Sequence, residues 1–174
     1  MTKMSSYVRR QTPGDTEWFV HDRFGMFIHF GLYSLPARHE WIKTYEKISE
    51  EKYDTYFRHF DPDLYEGFCL FDSKYTDYKS TNTPCGRDLA TEYVAAFREA
   101  GLKVGFYYSL IDWHHPEFPI DWIHPLRDME NAQAVSEKRD MKIYNEYMRN
   151  QVTELMTQYG KIDILWFDFS YPVP

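Results

Sequence analysis

The feature that most constrains this chain is its alternation of short apolar runs with helical segments. KVGFYYS at residues 103–109 and IDILWF at residues 162–167 read as short strands. Between them lies a helical stretch over about residues 135–159, closed by Gly160. A strand, a helix and a second strand in that order imply a crossover unit and a parallel sheet. FGMFIHFG at residues 24–31 reads as a further strand and is expected to join the same sheet through residues 24–30. A helix is expected over residues 49–60, with Ser49 as its cap and Tyr53, Tyr56, Phe57 and Phe60 on one face. Another is expected over residues 88–100, capped by Asp88 and closed by Gly101. No repeat, low-complexity run or linker divides the chain, so a single domain over residues 1–174 is expected. The fold class is α/β.

In parallel α/β folds the chemistry gathers at the carboxyl ends of the strands. Here those ends carry His29, the run Tyr107-Tyr108-Ser109, and the pair Trp166 and Asp168. Trp166 and Asp168 are two apart, so on a strand they share a face. An indole and a carboxylate facing one pocket suit a sugar, which stacks on one and reacts at the other. The bland alternative for Asp168 is a buried carboxylate capping the next turn. His29 is as readily a core histidine as a ligand. Asp163, at the start of the same strand, is expected to be structural. Glu40 and Trp41 follow the first strand and put a second carboxylate and a second stacking surface near the same rim. His114 and His115 are adjacent, with no third ligand at metal-site spacing, and read as loop histidines; no metal or organic cofactor is expected.

Charge and composition exclude other classes. Lys and Arg number 20 against 27 Asp and Glu, a formal net charge of −7. That surplus is the wrong sign for a duplex-binding surface, so no nucleic-acid partner is expected. No window of 18 apolar residues is present, so no membrane span is expected. The first residues, MTKMSSYVRRQTPGDTEW, have charge but no apolar h-region; no signal peptide is expected, and cytoplasmic placement is the default. Cys69 and Cys85 have no disulfide or zinc spacing. Aromatic residues make up 19% of the chain, which suits both a packed core and a sugar-binding surface.

Four blocks, FGMFIHFGLYSLPARHEW, GFCLFDSKYTDYKSTNTPCGRDL, GLKVGFYYSLIDWHHP and YGKIDILWFDFSYP, resemble the first part of glycoside hydrolase family 29, the α-L-fucosidases. The resemblance implies part of a TIM-like (β/α) barrel with parallel strands, an incomplete glycosidase catalytic domain, and a fucosylated glycan or fucoside as substrate. It implies a retaining mechanism with Asp168 as nucleophile, and substrate contacts from His29, Glu40, Trp41 and Trp166. It also implies a pocket tyrosine at the Tyr-Tyr-Ser strand end; alternation leaves Tyr107 or Tyr108, and Tyr108 is favoured. The family's usual Lys-His-His-(Asp/Glu)-Gly-Phe strand is reduced here to Glu66-Gly67-Phe68, directly after Tyr65, so about one βα unit of ~30 residues is expected to be missing. The segment that usually supplies the acid/base lies past the last residue, leaving Glu40 as the in-chain candidate. Self-association would cover the strand edges that a partial barrel exposes. The alternative is a non-catalytic carbohydrate-binding or orphan fragment of such an enzyme.

Overall fold

The computed structural model describes residues 14, 16–28, 37–38, 41–57 and 67–169. Its elements follow in the order α1 (Glu17–Asp22), α2 (Ile42–Tyr45), α3 (Glu50–Phe57), α4 (Leu89–Glu99), β1 (Gly105–Ser109), α5 (Ala132–Ser136), α6 (Met141–Gln158) and β2 (Ile164–Asp168). Strands β1 and β2 pair in parallel, with Gly105 opposite Ile164 and Ser109 opposite Asp168. Gly105 lets them approach closely: a Cβ there would lie 3.2 Å from that of Ile164. This is an α/β structure in which a helical crossover returns the chain to the same sheet.

The capping chemistry appears as the residue types dictate. Asp88 accepts the Thr91 N–H at 2.9 Å and starts α4. Past its end, Gly101 takes the left-handed conformation at φ 73°. Ser49 Oγ accepts the Lys52 N–H at 3.4 Å ahead of α3. The helix expected over 135–159 is two helices. Asp140 interrupts it with extended backbone (ψ 102°) and caps α6 by accepting the Lys142 N–H at 2.8 Å. A short polar side chain that can satisfy an orphan N–H outcompetes continuation of the helix.

The strand expected over 24–30 also differs. Residues 24–28 are irregular and exposed, and residues 29 and 30 lie outside the described set. An apolar run becomes a strand only when a ladder accepts its backbone groups. Among the described residues β1 and β2 form the one sheet, and it does not include this segment. Phe27 instead rests edge-on against the rings of Tyr107 and Trp166, at 5.6 and 5.5 Å.

Three apolar clusters hold the fold. Ala90 and Val94 of α4, Leu155 of α6, and Val104, Cys69, Phe71 and Tyr159 pack with Phe106 and Tyr108 on one face of the sheet. Ile42, Ile48, Tyr53, Phe68 and Tyr78 form a second cluster that receives Tyr107. Ile111, Trp113, Phe118 and Tyr144 form the third. Trp41 and Phe169 pack against both of the latter two and join them. Each fully buried large apolar side chain contributes about 1.5–3 kcal/mol.

The helix-side cluster encloses a satisfied polar network. Gln151 of α6 donates to Cys69 Sγ at 3.0 Å and to the Tyr147 hydroxyl at 2.8 Å, and accepts the Tyr108 hydroxyl at 2.8 Å. Glu154, one turn on, accepts from Ser73 Oγ at 2.8 Å and the Lys74 N–H at 3.0 Å. Burial pushes the Cys69 thiol and the Tyr108 hydroxyl well above their ordinary pKa values. Both therefore stay neutral, and Cys69 is a structural thiol.

At Gly67, φ is +77° and a Cβ would stand 2.1 Å from the Asp112 carboxylate. That buried carboxylate accepts the N–H groups of His114 and His115 at 3.0 and 2.8 Å. It thereby folds the loop leaving β1 back against residue 67.

Candidate active site

The carboxyl end of β2 delivers Asp168, and each oxygen of its carboxylate has its own donor. The Tyr107 hydroxyl donates to Oδ2 at 3.0 Å. The backbone N–H of Phe169 donates to Oδ1 at 2.8 Å. The Asp168 carbonyl accepts the Leu110 N–H at 3.1 Å, which ties the strand's last residue to the chain leaving β1. Both carboxylate oxygens are thus oriented by donors.

Strand parity explains which tyrosine arrives. Tyr107 lies opposite Trp166 in the register, and side chains alternate faces along a strand. Tyr107, Trp166 and Asp168 therefore share one face. Tyr108, favoured from the sequence as the pocket tyrosine, lies on the other, where its hydroxyl meets Gln151 and its ring joins the α4–α6 cluster. The structure brings Tyr107 to Asp168 and does not bring Tyr108 there. GFYYS contains no polar–apolar contrast to settle that parity; only the pairing register with β2 does.

Trp166 is 54% exposed, its indole covered in part by Phe27. Trp41 stands on the far side of Phe169, with ring centroids 5.6 Å apart, and also meets Trp113 at 6.2 Å. An aromatic wall thus runs from Trp113 through Trp41 and Phe169 to the residue beside the carboxylate. Sequence reasoning missed Phe169, whose backbone φ is +62°, a conformation with no signature in an aromatic residue. His29 and Glu40 lie outside the described residues.

The other chemistry-bearing residues are structural. Asp163 accepts the Val104 N–H at 3.0 Å and pairs with Lys161 at 3.3 Å. His114 stacks flat on Tyr78 with centroids 4.0 Å apart, and His115 lies 4.5 Å from the Tyr147 ring. His124 is buried with its Nδ1 accepting the Leu126 N–H. Burial, reinforced by Arg139, Lys43 and Arg127, lowers its pKa from 6.5 to about 3. Among the described residues no three His, Cys, Asp or Glu side chains gather as a metal site, and no helix is long and apolar enough to cross a membrane.

A two-stranded parallel α/β unit that ends a strand in a donor-held carboxylate beside indole rings has the makings of a carbohydrate-processing site. The α-L-fucosidase family model matches residues 2–65 and 63–173, nearly the whole sequence in two pieces that meet beside the Tyr65-Glu66 junction. The chain belongs to the α-L-fucosidase family.

Its similarity extends to solved structures and to curated relatives. Alpha-L-fucosidase isoenzyme 1 from Paenibacillus thiaminolyticus is 51% identical with a TM-score of 0.83, over 90% of this chain and 43% of that one. An α-L-fucosidase of family 29 from Bacteroides thetaiotaomicron, trapped as a covalent intermediate with 2-fluoro-fucosyl fluoride, is 28% identical with a TM-score of 0.73, over 92% of this chain and 42% of that one. The bovine tissue α-L-fucosidase is 25% identical in an alignment that covers 90% of this chain and 40% of the relative. The chain thus spans about two-fifths of the length of these three relatives.

Proposed function

We propose that this chain carries the nucleophile half of a retaining α-L-fucosidase site, within part of a TIM-like barrel, and that Asp168 attacks the anomeric carbon of a terminal α-linked L-fucose. The observation that carries this reading is the Asp168 carboxylate, held at both oxygens at the end of a parallel strand. A retaining glycosidase needs one carboxylate that attacks and one carboxyl that protonates the leaving oxygen, about 5–5.5 Å away. Tyr107 and the Phe169 N–H supply what the attacking group requires, a fixed orientation with a donor on each oxygen. Trp166 and Trp41 offer the flat apolar surfaces against which a sugar ring stacks. Tyr107 takes the place of the pocket tyrosine, and His29 and Glu40 are the further residues proposed to contact the sugar. The covalent intermediate trapped in the Bacteroides relative supports a step of this kind.

The proposed sequence is short. Asp168 displaces the aglycone to form a fucosyl ester with inversion, and water then displaces Asp168 with a second inversion, for net retention. Proton transfer to the leaving oxygen is worth about 10²–10⁴-fold, and Glu40 is the carboxyl in this chain proposed for it. A fluoride leaving group does not need that proton.

The decisive experiment therefore uses 2-fluoro-fucosyl fluoride. The expected result is one fucosyl adduct by intact mass spectrometry, mapped to the peptide containing Asp168 and missing from Asp168→Asn. An adduct elsewhere, or none on a folded chain, would overturn the assignment. Fucose binding by calorimetry without any adduct would instead establish the non-catalytic carbohydrate-binding reading.

A further inference from the structure

Phe169 is the residue whose geometry asks for an explanation beyond packing. Its φ of +62° lies in the left-handed region, which a bulky aromatic side chain rarely enters. Of the three other described non-glycine residues in that region, Arg23 and Lys47 sit just beyond the C-terminal ends of α1 and α2, where a left-handed residue commonly closes a helix, and Ala37 lies in a turn. Phe169 follows a strand and has no helix to close. The N–H of the peptide group joining it to Asp168 donates to Oδ1 of that residue at 2.8 Å, and the left-handed φ is what carries the Phe169 ring from that peptide plane to its seat against Trp41. Tyr107 already occupies Oδ2. With a donor on each oxygen, rotation of the carboxylate about its last torsion would break at least one hydrogen bond.

We propose that Phe169 is a positioning residue for Asp168, holding the carboxylate's aim through a left-handed backbone. This rests on the reading of Asp168 as the nucleophile and deepens it. Strained conformations persist where the surroundings over-determine them. Here the Phe169 ring is lodged against Trp41 and shared between two core clusters, while the Leu110 N–H grips the Asp168 carbonyl from the other side. The ring is the anchor and the backbone N–H is the working end. One residue thereby sets both the place of the Trp41 stacking surface and the orientation of the attacking group.

The test exploits a reversal of the usual size order. If Phe169 only fills space, replacements should rank by volume, with Val above Ala above Gly. If the left-handed backbone is what matters, Phe169→Gly and Phe169→Asn, which enter that region easily, should label faster with 2-fluoro-fucosyl fluoride than Phe169→Ala by about tenfold, and Phe169→Val should be slowest. The gap should lie in the limiting rate of labelling, not in the reagent concentration at half-saturation, since all four lose the same ring. A second reading needs no variant at Phe169: in 15N-labelled parent chain, the Phe169 amide proton should shift as the Asp168 carboxylate titrates, and should lose that response in Asp168→Asn. A volume-ranked series, or a Phe169 amide indifferent to Asp168, overturns the proposal while leaving the nucleophile in place. A parent chain that folds, shows the amide response and yet takes no label at Asp168 overturns the nucleophile reading, and Phe169's positioning role with it.

Discussion

Tyr107 and Tyr108 are neighbours in sequence and opposites in use. The hydroxyl of Tyr107 points to a carboxylate on a face that is half open, beside an indole more than half exposed. The hydroxyl of Tyr108 points into the helix layer, where Gln151, Cys69, Tyr147, Ser73 and Glu154 exchange hydrogen bonds in a largely buried network. One face of the sheet is closed and satisfied; the other holds its polar group ready and covers it loosely. The same parity that separates the two side chains by one residue separates stability from proposed chemistry. A substitution on one face should therefore leave the other's observable untouched.

The largest test of that division is Asp168→Asn. Covalent labelling should fall to background while the melting temperature changes little, because this side chain's partners are a hydroxyl and a backbone N–H on the open side. A large loss of stability would show that Asp168 belongs to the core after all. Next comes Glu154→Ala, which should cost about 2–3 kcal/mol in chemical denaturation by leaving Ser73 and the Lys74 N–H without an acceptor. Its labelling rate at a temperature where it is folded should match the parent.

The two tyrosines sharpen the contrast. Tyr107→Phe should slow labelling about tenfold by removing one charge-assisted donor, with stability nearly unchanged. Tyr108→Phe should do the reverse: about 1–2 kcal/mol less stable, because Gln151 keeps a buried carbonyl without its donor, with labelling unaffected. If both variants slow labelling equally, the faces are coupled and the division fails.

The last test is the pH dependence of stability. His124 is held neutral, its pKa depressed from 6.5 to about 3 by burial and by neighbouring cations. The unfolded chain takes up a proton near pH 6.5 that the folded chain refuses until about pH 3, so this residue should withdraw stability as pH falls across that window. In denaturation curves collected from pH 7 down to 4, His124→Gln should flatten the acid-side decline relative to the parent. An unchanged slope would mean that other groups dominate it.

How much of this is legible in the sequence depends on how local the cause is. Asp88, Gly101 and the crossover from β1 to β2 follow from side-chain chemistry within a few residues, and they stand as expected. Asp140 is equally local but hidden inside a run of good helix formers, so nothing in the local pattern marks the break between α5 and α6. The apolar run at residues 24–28 has every property of a strand except a ladder to join, and no local pattern can supply that. The pocket tyrosine turns on a register between residues 59 apart, and the left-handed turn at Phe169 on a ring lodged between two clusters. Both are tertiary facts, and the site's finer geometry rests on them.

Gly67 carries a consequence for inheritance. With φ at +77° and the Asp112 carboxylate 2.1 Å from where a Cβ would stand, the position is closed to every other residue type. All glycine codons begin GG, and every amino-acid change reachable from them by one nucleotide introduces a Cβ. Codon 67 should therefore drift only among its silent third positions, and a saturation library should be depleted there as sharply as at any core position, although the residue is only partly buried.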